Sequence, residues 1–379
     1  MNIQEKIEWT KKHMPVMEIL QKEFSESKPF KDITVGACLH ITKETAILLM
    51  ALQDGGATVL ACASNPLSTQ NDVADYLEEV RGIQLWAKKG MTEKEYKDGL
   101  NAIVVRNPNY IIDDGADLTA LIHEQNVAPP LGGLEETTTG VTRIRNMKLK
   151  YPILAVNDAQ TKHFFDNVYG TGQSTLDGII RATNILLAGK TFVIAGYGYC
   201  GRGLAQRARG MGCNVIVTEI DPVKAIQAYM DGFRVMTMWE AASVADIVVT
   251  VTGSKNVVRK EHMEFMKKDV ILANSGHFDI EIDVKAAKEL GLNVLAEGRL
   301  VNLACAEGHP SEVMDTSFAN QALGLKYLVE KIGSDPMSLS NSVHEIPQEI
   351  DNQVALLKLK ALGIVIDKET EEQINYRKS

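Results

Sequence analysis

The sequence predicts an α/β protein built from two doubly wound parallel-sheet domains and a helical C-terminal tail. Three observations carry this. Short, β-branched apolar runs alternate with helix-length amphipathic segments, as in chains of βαβ units. Many of the runs end in polar or charged residues, where open α/β sheets bind ligands. A glycine-rich turn separates a strand from a helix near mid-chain. At 379 residues, 45% of them apolar, the chain is long and apolar enough for two ordinary cores.

The first series of strands is expected at 33–39, 57–63, 83–88, 110–113 and 152–157. Several close on polar pairs: His40 and Thr42, Ser64 and Asn65, Asp113 and Asp114, Asn157 and Asp158. The first half therefore reads as a site-bearing sheet. A second series begins near Gly189, with strands at 191–195, 214–219, 247–252, 270–274 and 293–296. The helix between its first two strands carries small residues, as close packing on a sheet requires. After about Pro310 the chain turns helical, and 318–332 has apolar residues at helical spacing. The charged, helical stretch 346–379 follows a Ser-rich loop at 338–342. Such a tail docks either on its own core or on a neighbouring subunit. The expected organisation is a first domain at 1–158, a hinge at 159–171, a second domain at 172–307, a second hinge and return to the first domain at 308–345, and the tail at 346–379.

Composition excludes several classes. The formal net charge is −9 with no dense basic run, which argues against a nucleic-acid grip. No apolar stretch is long enough for a membrane span, and the N-terminal segment lacks the apolar core of a secretory signal. Five widely spaced cysteines without a C-x-x-C pair fit reduced thiols in a cytoplasmic protein. No metal site is expected.

The segment 191–221 contains G-x-G-x-x-G as Gly196, Gly198 and Gly201, and its next strand ends in Glu219. Alone the motif is weak. Between a strand and a helix, with an acidic residue closing the following strand, it is what a dinucleotide needs. Gly196 permits the turn, Gly198 admits the pyrophosphate and Gly201 lets helix and strand pack. Free N–H groups at the helix start favour phosphate. Glu219 would accept from ribose hydroxyls and repel a 2′-phosphate, favouring NAD over NADP.

Lys162 and Asp166 are four residues apart and share a face on a helix. On spacing alone they are equally a surface ion pair. His40 and Asp114 at strand ends suit proton transfer, although each alone is also an ordinary loop residue. The threonine run 137–139 is otherwise a plain β-prone stretch.

Seven clusters occur in order along nearly the whole chain: CLHITKET, SNPLSTQ, DDGADLT, EETTTG, VNDAQTKHFFDNVYGTGQS, NSGHFDIEID and GRLVNLACAEGHPS, with the glycine fingerprint between the fifth and sixth. Together they closely resemble the S-adenosylhomocysteine hydrolase family in its short archaeal or bacterial form. The resemblance implies NAD as a tightly bound, recycled cofactor and a disguised redox cycle. The ribose 3′ carbon of S-adenosylhomocysteine is oxidised, the 4′ hydrogen becomes acidic, homocysteine leaves from the 5′ carbon, water adds, and the 3′ ketone is reduced again, giving adenosine. The first domain is then the substrate domain.

By the same resemblance, Lys162 and Asp166 meet the 2′ and 3′ hydroxyls. Lys162 would be the 3′ base, a role that needs its pKa lowered from about 10.4. Asp114 and His40 serve the 4′ and 5′ positions. His277, expected on a helix-rich rim, joins the catalytic set. Glu136 holds the 2′ hydroxyl, Thr42 and Glu44 read adenine, Gln70 belongs to the substrate set, and Leu303 and His309 close over the base. Glu44 can accept from an exocyclic amine but not from a 6-oxo purine, which favours adenosine over inosine. Thr137, Thr138, Thr139, Asn167, Tyr199, Cys200, Lys224, Thr252, Ser275, Gly276, His277 and Asn302 join the three glycines and Glu219 around NAD.

Several residues depart from the family pattern. Thr171 stands where many members have cysteine. Tyr199 and Cys200 replace Asp-Val, with Tyr199 expected over the pyrophosphate. Lys224 replaces a common asparagine, the segment after Asp283 is short, and the long-form ending that reaches a neighbour's NAD is missing. The family implies a homotetramer acting on a small molecule. The rival readings are an S-inosylhomocysteine hydrolase, a non-catalytic NAD-sensing homologue and a 2-hydroxyacid dehydrogenase, whose Arg and His–acid pattern the clusters do not match.

Overall fold

The computed structural model describes residues 1–125 and 127–378; residue 126 and Ser379, the last residue of the tail, lie outside them. Thirteen strands among the described residues form two sheets. β1 (Thr34–Leu39), β2 (Thr58–Ala63), β3 (Gln84–Trp86), β4 (Tyr110–Asp113), β5 (Gly132–Glu135) and β6 (Ile153–Ala155) belong to the first. β7 (Thr191–Ala195), β8 (Asn214–Thr218), β9 (Arg234–Val235), β10 (Ile247–Thr250), β11 (Ile271–Asn274) and β12 (Asn293–Val294) form the second. β13 (Val343–Glu345) then returns to the first sheet beside β6.

The strand orders are β13-β6-β5-β4-β1-β2-β3 and β12-β11-β10-β7-β8-β9, with every pair parallel. In each sheet the order reverses at the first strand, between β1 and β4 and between β7 and β10. These are the topological switch points where a crevice opens at the carboxyl ends.

The central strands of both sheets are covered on both faces, so they are largely apolar. On β1, Val35, Ala37 and Leu39 face one core while Cys38 faces another. On β7, Phe192 and Ile194 face one core and Val193 the other. At about 25 cal/mol per Å² of apolar surface removed from water, this two-sided burial is the main drive for both sheets.

Three strands escape the sequence pattern. β5 reads Gly-Gly-Leu-Glu, with weak β propensity, yet it is fully buried. A Cβ at Gly133 would lie 2.8 Å from Ile111 Cγ1, so glycine is what lets β5 sit against β4. β9 has two residues and β13 three, too short to show alternation. The late helix is also longer than its apolar run, spanning Ser311–Ser334. Ser311, Asp315, Thr316 and Ser317 in its first turns are buried by tertiary packing, while Glu312 is exposed.

The tail helix Gln348–Ala361 packs on its own chain. Ile350 and Val354 join the core of the first sheet, and Lys358 Nζ reaches Asp315 Oδ2 at 2.7 Å. Of the two dockings the sequence leaves open, this helix makes the one on its own core. The last helix, Glu371–Lys378, lies outside the buried cores. Among the described residues no helix is long and apolar enough to cross a membrane.

Candidate active site

A cavity of about 1440 Å³ lies between the carboxyl ends of the two sheets. Its size exceeds an ordinary ligand pocket of roughly 300–1,000 Å³ and suits a dinucleotide together with a nucleoside. Its walls come from the loops at both switch points.

Past β1, His40 precedes Thr42, which caps the helix Lys43–Asp54 through its side chain. Past β4, Asp114 leads into a tight turn with Gly115 at φ +105° and Ala116 at φ +63°. A Cβ at Gly115 would lie 2.3 Å from His277 Nε2, so glycine is needed for the loop after β11 to approach Asp114. His277 lies in that loop and not on a helix. Asp114 thus stands between two imidazoles, with Oδ2 3.5 Å from His40 Nε2 and Oδ1 3.9 Å from His277 Nδ1. His40 Nδ1 lies 2.7 Å from Ser68 Oγ, which itself can donate to Asn65 O. The two neutral tautomers differ in which contact they serve: Nδ1–H donates to Ser68 Oγ, whereas Nε2–H points at Asp114 Oδ2 while Nδ1 accepts from the Ser68 hydroxyl. Burial lowers the His40 pKa to about 4, outweighing the pull of Asp114.

The second cluster is built on residues 160–170, a helical start followed by a π-helical turn His163–Gly170. Such widened turns bring side chains together that an α-helix would separate. Lys162 Nζ lies 3.3 Å from Asp166 Oδ1, 3.5 Å from Glu136 Oε1 and 3.1 Å from Asn167 Oδ1. All four residues are buried. Burial favours the neutral amine of Lys162, but Asp166, Glu136 and Asp114 outweigh it and push the pKa above the ordinary lysine value. The expected lowering is thus corrected: three carboxylates in a poorly solvated cluster hold the ammonium charged. Burial raises the Glu136 pKa to about 7 despite Lys162. Burial also raises that of Asp166, but Lys162, His309 and Ser317 together bring it below the ordinary value.

A third group surrounds Glu44, which is 1% exposed and accepts from Ser311 Oγ at 2.7 Å. Thr42, Leu303 and His309 line the cavity with it. His309 Nε2 lies 3.2 Å from Thr171 Oγ1, and Gly170 admits its ring at a distance where a Cβ would clash.

The far end fits a dinucleotide. A Cβ at Gly201 would lie 2.0 Å from Gly196 O, whereas one at Gly198 would meet nothing within 4 Å. Gly201 therefore closes the turn from behind, without lining the cavity, and Gly198 leaves the approach open. The helix Tyr199–Gly210 starts there. Glu219 Oε2 accepts from Tyr197 N at 2.7 Å, and its Oε1 accepts from Ile220 N and Asp221 N, fixing the carboxylate at the cavity wall. Asn302 Oδ1 is buried without a hydrogen-bond partner among the described residues, leaving an acceptor for a ligand donor. Thr137, Thr138, Thr139, Asn167, Tyr199, Cys200, Lys224, Thr252, Ser275, Gly276 and His277 complete this wall.

Family models match both sheets. Residues 3–131 match S-adenosyl-L-homocysteine hydrolase, and 167–294 match S-adenosyl-L-homocysteine hydrolase, NAD binding domain. An adenosylhomocysteinase of Thermosynechococcus vestitus is 52% identical, covering 99% of this chain and 93% of its own. The chain belongs to the S-adenosyl-L-homocysteine hydrolase family.

Within that family, an adenosylhomocysteinase of Sulfurisphaera tokodaii is 53% identical over 98% of this chain and 94% of its own. An S-inosyl-L-homocysteine hydrolase of Methanocaldococcus jannaschii is 49% identical over 98% and 94%. The fold reaches further: a dipicolinate synthase chain of Bacillus halodurans superposes with a TM-score of 0.54 at 10% identity, covering 79% of this chain and 99% of its own. NAD is the cofactor of this hydrolase-family chain, and the second sheet is its NAD-binding module.

Of the sequence-derived site residues, Gln70 departs from expectation. It does not line the cavity; its Oε1 accepts from Lys43 N at 3.3 Å, supporting the turn before Glu44. Sequence reasoning missed Asn157, which joins Lys162, Thr138 and Asn167. It also missed the polar face of Ser311–Ser334, where Ser317 donates to Asp166 and Gln321 to Glu136. The available signal was the helical spacing of four polar residues, 316, 317, 320 and 321, in an otherwise apolar stretch; the structure buries all four.

Proposed function

We propose that this chain cleaves S-adenosyl-L-homocysteine reversibly to adenosine and L-homocysteine, recycling one NAD. The carrying observation is one cavity in which the Lys162–Glu136–Asp166 cluster and the His40–Asp114–His277 cluster share walls with a dinucleotide cradle. When bound, NAD supplies reversible hydride acceptance at the ribose 3′ carbon.

In this reading Glu136 and Asp166 accept from the 2′ and 3′ hydroxyls. The Lys162 ammonium holds the 3′ oxygen, and it exchanges its proton through the carboxylates around it. Glu136, poised near neutrality, is the group fitted to receive it. Asp114 takes the 4′ proton. His40, with Nε2 beside Asp114 at the cavity wall, handles the proton at the 5′ position as the thiol leaves and water adds. His277 brings the second sheet onto this cluster. Glu44 accepts the adenine amine, while a 6-oxo purine would leave two acceptors facing each other at a cost of about 1–3 kcal/mol.

The proposed organisation is a substrate domain from 1–158 and about 311–345, a NAD domain at 172–307, and hinges at 159–171 and 308–310. Closure about them would exclude water until the addition step. The proposed setting is a cytoplasmic homotetramer.

The test measures thiol release from S-adenosylhomocysteine by purified protein, with and without added NAD, beside Lys162→Ala. The expected result is turnover by the wild type and its loss in the variant. No thiol under either condition, or NADH accumulating with a free 2-hydroxy acid, overturns the reading. Equal or faster release from S-inosylhomocysteine would move the substrate to that of the Methanocaldococcus relative and overturn the role of Glu44.

A further inference from the structure

Beneath the turns that carry Asp114 and Glu136 lies a carboxyl that no step above uses. Glu135 ends β5 and is in register with Asp113, which ends β4. It is 1% exposed. Its Oε1 accepts from Gly115 N at 2.9 Å and from Thr137 N at 3.0 Å. Those amides directly follow Asp114 and Glu136 in the chain. Its Oε2 is buried with no hydrogen-bond partner among the described residues.

The surroundings are shaped around this group. A Cβ at Gly140 would lie 2.1 Å from Glu135 Oε1, so the helix Thr138–Arg145 meets the carboxyl with a bare backbone. Asp113 is committed elsewhere, accepting from Asp114 N and Thr119 N. Glu135 thus links the two turns through its side chain, beside the backbone bond from Glu136 N to Asp113 O at 2.9 Å.

We propose that Glu135 is a positioning residue for the reaction, tying the turns that carry Asp114 and Glu136 into one rigid unit through a single shared oxygen. This rests on the roles given above to Asp114 and Glu136. The clamp needs only an acceptor oxygen at the right reach, not a negative charge. Burial, with Asp113 and Asp114 nearby, pushes the Glu135 pKa well up. A misplacement of about 1 Å between catalytic groups costs on the order of a hundredfold in rate.

The test compares NAD-loaded wild type, Glu135→Gln, Glu135→Ala and Gly140→Ala for thiol-release kcat, KM, pH profile and thermal unfolding. Glu135→Gln keeps the acceptor oxygen and is expected to stay within about threefold of wild-type kcat with an unmoved pH profile. Glu135→Ala and Gly140→Ala are expected to lose about a hundredfold in kcat with a smaller change in KM. Gly140→Ala displaces the carboxyl without removing it, so it decides the matter if Glu135→Ala fails to fold. The proposal is overturned if folded, NAD-loaded Gly140→Ala turns over at the wild-type rate. It is equally overturned if Glu135→Gln loses as much as Glu135→Ala. A wild type that releases no thiol would overturn the activity itself; an active wild type with unaffected variants overturns only the positioning role.

Discussion

His40 Nε2 faces Asp114 Oδ2 at 3.5 Å while the opposite ring nitrogen is anchored to Ser68 Oγ at 2.7 Å. Removing that hydroxyl frees the ring to turn and to change tautomer. Ser68→Ala is therefore expected to lower kcat roughly tenfold, and His40→Gln roughly 10²–10⁴-fold. Formation of enzyme-bound NADH on adding adenosine, followed by absorbance, should survive both changes, since the 3′ oxidation uses the other cluster. Loss of that absorbance in Ser68→Ala would show that the two clusters are not separable.

The carboxylates around Lys162 keep it charged, so removing one should loosen its proton. In Asp166→Asn the Lys162 pKa falls, and the alkaline limb of the kcat–pH profile is expected to move to lower pH. Maximal turnover drops as well, because the hydroxyl contact is lost. A profile moving to higher pH, or not at all, would contradict the assigned electrostatics.

Burial of His40 links stability to acid. Its folded pKa of about 4 lies below the ordinary value of 6.5. As pH falls below 6.5, the unfolded chain takes up a proton that the folded chain refuses, so stability is lost across the window from 6.5 to about 4. The difference reaches about 2 kcal/mol at pH 5. Glu136 has the opposite sign, its contribution being full below 4.5 and lost as pH rises through about 7. Both proteins share that effect, so it cancels when wild type is compared with His40→Asn. Denaturant unfolding at pH 7.5 and pH 5 is expected to show a larger acid loss in the wild type.

Asp351, on the tail helix, accepts from Gln160 N at 2.7 Å, from Thr161 N at 2.9 Å and from the Thr161 hydroxyl. It caps the segment that carries Lys162. Asp351→Ala should cost about 1–2 kcal/mol of stability, as loss of a helix cap does. It should also lower kcat, because two amides at the head of that segment lose their acceptor. Unchanged kcat in a destabilised protein would confine Asp351 to a structural role.

How much of this could be read from the residues differs by feature. Strands such as 110–113 and 191–195 coincide with their apolar runs because both faces are buried and nothing else competes. β5 could not be read, since its Gly-Gly start is dictated by a neighbour that enters from another strand. In the site, His40, Asp114, Lys162 and Asp166 stand in motifs whose chemistry is local. Ser317 and Gln321 matter through contacts with Asp166 and Glu136 made at long chain separation, which spacing cannot report, whereas Asn157 and Glu135 have nearer partners that only the fold of the turns brings into reach. The raised Lys162 pKa illustrates the same limit. Spacing pairs Lys162 with Asp166, the strongest of the charges that raise it, while Glu136 and Asp114 join from the ends of other strands.

The return of β13 and the helix Ser311–Ser334 to the first sheet sets an order of assembly on the ribosome. The second sheet is contiguous in the chain and can close once residues near 300 have emerged. The first must keep an unfinished edge until the helix carrying Ser317 and Gln321, and then Asp351, have been made. The nucleotide-binding half can thus fold before the half that carries the acid–base groups is complete. A chain interrupted near residue 310 would retain a cofactor cradle without a working reaction centre.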